Sequence, residues 1–317
     1  MSQASGPFGV IVVRREETAG GVIVVDLVAT TGASLPGWTP GAHVDVVMPA
    51  GMVRQYSLCG EPGSDRWRIA VLREDAGRGG SRWLADNAAV GATLTLEGPR
   101  NHFELDTGTG PALFLAAGIG VTPLVAMARA ARDDGRDYLL RYSGSTRKSM
   151  ALVEELERMH GERLAVHVSD EASRLDLESE LANLEPGTVV YACGPSRYLD
   201  AVTSAAVALQ MEVRMEHFTP VELTAPVRDD AFEVELAMSG ITVQVPPGKS
   251  ILAAVEEEGI LVLSSCTEGT CGTCETPVIE GKVDHRDSIL TPAERDRGDV
   301  MYVCVSRAAC PRLVLDL

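Results

Sequence analysis

The chain has 317 residues, 45% hydrophobic and 23% charged, a globular composition with length for two or three domains. A formal charge of −17 argues against a nucleic-acid surface or an anionic-membrane surface. MSQASGPFGVIVVRREE lacks a basic start and an apolar core, and no run of about 18 apolar residues suggests a membrane span, so a cytoplasmic protein is expected.

Residues 8–105 read as short strands: FGVIVVRREE, GVIVVDLVA, HVDVVMP, RQYSLCG, WRIAVLRE and TLTLEGP. Gly- and Pro-rich turns separate them, the pattern of a barrel or sandwich. SRWLADN, after GRGGS, is the one helix expected there. From Gly110 the pattern becomes strand–helix alternation: PALFLAAG, LVAMARAARDDG, YLLRYSGS, SMALVEELERMHG, LAVHVSD, DLESELANL, TVVYACG and PSRYLDAVTSAAVALQ. Such alternation predicts a parallel sheet with helices on both faces. HFTPVELTAPVRDD, with two prolines and no periodicity, reads as a linker. Beyond it, AFEVELAMSGITVQVPPG predicts a hairpin and KSILAAVEEEG a helix capped by Gly259. KVDH, MYVCVS and LVLDL predict short strands. The expected division is 1–107, 108–222, a linker over 223–230, and 231–317.

Seven cysteines are an odd set, and four carry a pattern: Cys266, Cys271, Cys274 and, after 29 residues, Cys304. C-x4-C-x2-C with one distant partner is the plant-type ferredoxin spacing for a 2Fe–2S cluster. Small residues (Gly269, Thr270, Gly272, Thr273) let the loop wrap and turn backbone N–H groups toward sulfur, and a distant strand supplies the last ligand. The alternative is a structural zinc site, which prefers two short C-x2-C pairs. Cys59 and Cys310 lie outside the pattern and read as packing or surface thiols.

Three further stretches suit nucleotide chemistry. In GRGGS, Gly77, Arg78, Gly79, Gly80 and Ser81 combine exposed N–H groups, a hydroxyl and a cation, which suits a phosphate; a plain turn is the other reading. GIGVTP, Gly118 to Pro123, sits at a strand-to-helix junction where glycines permit close backbone approach. CGP, Cys193 to Pro195, ends the last strand of the same sheet; Cys193 reads as facing a nicotinamide or as a small buried residue.

RQYSL, GRGGS, GIGVTP, CGP and the cysteine loop, in that order, resemble the phthalate dioxygenase reductase family within the ferredoxin–NADP reductase superfamily. The resemblance covers nearly the whole chain. It implies a multidomain fold: an antiparallel β-barrel flavin domain, an α/β parallel-sheet nicotinamide domain and a C-terminal α+β β-grasp ferredoxin domain. It implies FMN rather than FAD, with GRGGS as the main reason, and a cofactor pocket that includes Arg54, Gln55, Tyr56, Ser57 and Val71. Tyr56 would pack on the flavin ring, Ser57 would lie near its reactive nitrogen, and Arg54 with GRGGS would hold the phosphate. Gly118, Gly120, Thr122, Pro123, Ser143, Cys193, Gly194 and Pro195 would line the remaining cofactor cleft. Ser57, Thr122 and Cys193 are the expected catalytic residues. Asp170, at a strand end, is placed to bind ribose hydroxyls, favouring NADH over NADPH. Ser145 stands where relatives are expected to carry Arg, and Arg147 and Lys148 nearby could meet a 2′-phosphate or simply be solvated. Phe218 is the candidate flavin-covering aromatic.

The implied function is the reductase of an oxygenase system, NADH to FMN to cluster to a terminal oxygenase, either a Rieske-type non-haem iron enzyme or a cytochrome P450. A monomer is expected. Residues 231–317 carry 14 acidic and 7 basic side chains, a net −7 that suits either a basic partner or solubility. The rival readings are a stand-alone flavin or ferric reductase, a redox-sensing regulatory subunit, and a zinc-stapled binding module.

Overall fold

The computed structural model describes residues 6–18, 20–221, 223 and 225–317. It divides into two compact units, Met1–Glu216 and His217–Leu317. The boundary expected at residue 222 falls on a position outside the described residues.

In the first unit, β1 (Phe8–Glu17), β2 (Val22–Ala29), β3 (His43–Val47), β4 (Val53–Ser57) and β5 (Trp67–Leu72) precede a helix, α1 (Gly80–Asn87), and β6 (Thr93–Arg100). The strands pair antiparallel in the order β4-β3-β6-β1-β2-β5. A bridge between Leu58 and Ile69, and the Cys59 N–H donated to the Arg68 carbonyl at 2.9 Å, tie the two ends together. The sheet therefore rolls into a barrel around Val10, Leu27, Val44, Trp67, Ile69 and Leu96. In β6 the core residues Leu94 and Leu96 alternate with exposed Thr93 and Thr95, the period-2 pattern of a half-buried strand.

The same unit continues with β7 (Ala112–Ala117), α2 (Val121–Asp133), β8 (Tyr138–Gly144), α3 (Val153–His160) and β9 (Leu164–Val168). Then come α4 (Leu177–Ala182), β10 (Val189–Cys193), α5 (Ser196–Ala208) and β11 (Val213–Glu216). These strands run parallel in the order β11-β10-β7-β8-β9. Every residue of β7 is buried, as a strand covered on both faces must be. Strand order reverses at β7, which has β8 on one side and β10 on the other, so a crevice opens at their carboxyl ends. Val22, Val24, Cys59 and Ala70 of the barrel domain share one core with Phe114 and Tyr142 of the parallel sheet and Leu124 of α2. That continuous core is why the two sheets form a single unit.

The second unit contains β12 (Phe232–Leu236), β13 (Ile241–Val245), α6 (Ile251–Glu257), β14 (Glu275–Glu280) and β15 (Val283–Asp284). It ends with α7 (Pro292–Arg297), β16 (Val300–Tyr302), β17 (Arg307–Ala308) and β18 (Arg312–Leu315). A mixed sheet runs β13-β12-β18-β14-β16, with β12 parallel to β18 and a separate β15–β17 pair. Leu252 and Val255 of α6 join its core beside Phe232, Val234 and Leu313. Ser250 caps α6 by accepting the Ala253 N–H at 3.1 Å.

Several elements differ from the sequence reading. Cys304 is not on a strand: β16 ends at Tyr302, whose carbonyl accepts N–H bonds from Val305 and Ser306, and that turn carries the cysteine. The helix read over SMALVEELERMHG begins only at Val153, because Leu152 takes a left-handed backbone (φ 58°). β11, β14, α7 and β17 are elements that the sequence reading did not include. No described helix is long and apolar enough to cross a membrane.

Candidate functional site

The RQYS stretch is β4, antiparallel to β3, so Gln55 faces Asp45 and Tyr56 faces Val44. Asp45 is fully buried, yet its carboxylate accepts from Gln55 Nε2 and Arg100 Nη1, each at 2.6 Å. That two-sided hold satisfies a buried charge and braces β4 from beneath. Ser57 is buried and Tyr56 half-buried; burial, offset in part by Arg54, pushes the Tyr56 phenol well above its ordinary range and keeps it neutral. Val71, on β5, lies in the core of the barrel and is 1% exposed.

GRGGS leads into α1, with Gly79 before the helix in a left-handed backbone (φ 87°). Gly80 lies directly against Arg54: a Cβ there would sit 2.5 Å from Arg54 Cγ and 3.1 Å from Nε. Two motifs separated by some twenty residues in sequence thus form one cradle, a helix N-terminus beside a guanidinium, which suits a phosphate. Ser81 Oγ accepts the Glu74 N–H at 3.1 Å, which anchors the loop.

At the switch point, GIG forms a 3-10 turn and α2 starts at Val121. Thr122 and Pro123 are buried, and Thr122 Oγ1 donates to the Ile119 carbonyl at 3.0 Å. A Cβ on Gly120 would lie 2.5 Å from the Cys193 carbonyl carbon and oxygen and from the Gly194 nitrogen. Only glycine permits that approach, so GIGVTP and CGP meet at the carboxyl ends of β7 and β10. Cys193 is fully buried, and burial, then the neighbouring Glu216, pushes its thiol well up, leaving it neutral.

Ser143, near the end of β8, is half-buried. Asp170 is exposed just beyond β9, its N–H donated to the Ser145 carbonyl at 3.1 Å. Arg147 is engaged by Glu157 at 2.8 Å and Glu171 at 3.6 Å. Phe218 is 40% exposed and belongs to the second unit.

In the cysteine loop, Cys271, Cys274 and Cys304 are buried and Cys266 is half-buried; none is in a disulfide. The sulfurs interact in a chain, Cys271 with Cys266, Cys266 with Cys304, Cys304 with Cys274, and the first two contacts pull Cys266 toward the thiolate. Glu268 and Thr270 point their N–H groups at Cys266 Sγ, at 3.3 and 3.5 Å. Gly269 has φ 71°, and a Cβ there would meet Val305 Cγ2 at 2.6 Å. No three His, Cys, Asp or Glu side chains among the described residues gather on one ion. A two-iron centre does not require that, since each iron takes two of the four thiolates, and this donor set fits such a cluster.

Two further carboxylates here went unread in the sequence. Asp287 accepts N–H bonds from Ile289 and Leu290 at 2.9 and 2.8 Å, and its backbone lies against Gly269, so it braces the cluster loop. Glu216 pairs in register with Cys193 across β10 and β11. Its Oε2 is closed off from solvent and has no hydrogen-bond partner among the described residues.

Burial raises the Glu216 carboxyl from 4.5 to about 8. In that window the native state binds more protons than the unfolded state, so stability falls as pH rises. Relative to Glu216→Gln, the parent should lose roughly 5 °C of Tm between pH 5 and pH 8 in thermal melts. Parallel profiles for the two proteins would show that the carboxyl is not buried as described.

Residues 234–309 match the family model described as a 2Fe-2S iron-sulfur cluster binding domain. The chain is 41% identical over 299 residues to the phenoxybenzoate dioxygenase subunit beta of Ectopseudomonas oleovorans, 93% of each chain being covered. Among solved structures it resembles an intact type IV self-sufficient cytochrome P450 monooxygenase at a TM-score of 0.91 and 43% identity, over 98% of this chain and 41% of that one. Phthalate dioxygenase reductase, described as modular for electron transfer from pyridine nucleotides to 2Fe–2S, matches at a TM-score of 0.69 and 34% identity, over 98% of both chains. With its three large sheets and four-thiol loop, the chain belongs to the phthalate dioxygenase reductase-like family, the oxidoreductase components of oxygenase systems.

Proposed function

We propose that this chain carries electrons from NADH through FMN to a 2Fe–2S cluster at Cys266, Cys271, Cys274 and Cys304, and on to a terminal oxygenase. The observation that carries the reading is the assembly of two ligand cradles, Arg54 with Gly80 and Gly120 with Cys193, in the unit that precedes the four-thiol loop. On this reading residues 1–107 take the flavin, 108–222 the nicotinamide, 223–230 link, and 231–317 hold the cluster, in a cytoplasmic protein. When bound, the flavin and cluster supply the conversion from a hydride to single electrons.

The chain's own residues bind and orient. Arg54, Gly79 and Gly80 hold a terminal phosphate, which favours FMN over FAD. Tyr56 offers a neutral ring face, and Ser57 a hydroxyl beside it. Gly120 and Cys193 give the nicotinamide a close, uncharged seat, with Thr122 fixing the turn. Asp170 addresses ribose hydroxyls, and Glu157 and Glu171 already engage Arg147, one of the two nearby cations, which favours NADH. The partner is a Rieske-type oxygenase or a cytochrome P450.

The test is an anaerobic visible spectrum of the holoprotein before and after NADH, with the released flavin identified by mass. Flavin bands and a broad iron–sulfur shoulder should both bleach, with FMN released. A colourless protein, or a shoulder untouched by NADH, would sink the electron path.

A further inference from the structure

Between α6 and the first cluster cysteine, residues 260–263 alternate in their burial. Ile260 and Val262 pack against the core of the second unit, while Leu261 and Leu263 are 94% and 81% exposed. Period-2 alternation puts both leucines on one outward side of an extended segment. Single exposed apolar residues are ordinary; two nearly bare leucines side by side are a patch. This one ends three residues before Cys266, the least buried of the four cluster cysteines.

Acidic groups frame it. Glu256, Glu257 and Glu258 are exposed at the end of α6, and Glu268 lies in the loop between Cys266 and Cys271. Lys249 engages Glu257, leaving the frame acidic overall. By sequence the second unit carries 17 acidic and 8 basic residues, net −9, and the first 28 and 20, net −8. Both units are net acidic, which favours another, basic protein as the source of complementary charge.

We infer that Leu261 and Leu263, framed by Glu256 and Glu258, are the docking surface for an external protein acceptor with an apolar centre and a basic rim, which takes its electron past Cys266. An apolar centre with a charged rim is the anatomy of a specific transient interface, and complementary charge speeds encounter. This inference rests on the proposed electron path.

The test uses the holoprotein and cytochrome c, a small basic one-electron acceptor. Leu261→Ser/Leu263→Ser changes only exposed side chains. Its Kd for cytochrome c by calorimetry, and its KM in NADH-driven reduction, should rise about tenfold. Bleaching of the cluster by NADH should stay within about twofold of the parent, since exposed substitutions leave the core untouched. Glu256→Gln/Glu258→Gln should weaken binding at low salt and flatten its salt dependence. Unchanged Kd and KM in the leucine variant would overturn the surface. So would slowed bleaching, which would assign the leucines to the chain's own flavin unit. A parent that NADH does not bleach would instead defeat the electron path, while the calorimetric titration would still read the surface.

Discussion

Cys304→Ser should lose the iron–sulfur shoulder and keep the flavin. Serine offers a harder, less acidic ligand, so cluster content should fall below roughly a tenth of the parent's, and NADH-driven reduction of a protein acceptor by about 100-fold. Cys304 sits in the turn after β16, and its sulfur reaches both Cys266 and Cys274, so no neighbour replaces it. Flavin reduction by NADH should stay within about twofold, because the cofactor cradles are in the other unit. Cys310→Ser is the matched control. Cys310 Sγ accepts the Lys282 N–H at 3.1 Å, away from the four-sulfur chain, and its loss should leave the cluster in place. A full iron–sulfur spectrum in Cys304→Ser would remove that residue from the ligand set.

Gly120→Val should slow hydride transfer on the order of 100-fold, the scale expected for a displacement of about 1 Å at a reacting centre. The valine Cβ would enter within 2.5 Å of the Cys193 carbonyl and the Gly194 nitrogen. These are backbone atoms at the end of a central strand, so the strand end has to move. Flavin content should persist, since Arg54, Gly79 and Gly80 are on the barrel. Stopped-flow flavin reduction at saturating NADH separates the two effects. A parent-like rate would mean that the GIGVTP–CGP junction is not where the nicotinamide sits.

Local signals account for much of what was legible beforehand. Cysteine spacing, the order of the motifs and the change from period-2 runs to strand–helix alternation near Gly110 are properties of neighbouring residues, and each survives folding unchanged. They determined the barrel and the parallel sheet, and they singled out Cys266, Cys271, Cys274 and Cys304 as one group. β11 and β14 went unseen because VRME is four half-buried residues and ETPVIE begins inside the cluster loop with a proline at its centre. Nothing in WRIAVL says which alternate face turns inward; closure of the barrel decided that for Val71.

Only the tertiary structure could set Arg54 against Gly80, Gly120 against Cys193, and Asp287 behind Gly269. The same holds for the Asp45 carboxylate and the enclosed Glu216 Oε2. Whether an acidic side chain is solvated or enclosed depends on which distant strand packs over it and which donor arrives with that strand, as Gln55 and Arg100 do for Asp45 and no described group does for Glu216. A one-dimensional pattern records the chemistry that a residue brings; the dielectric and the partners that it meets come from contacts far along the chain.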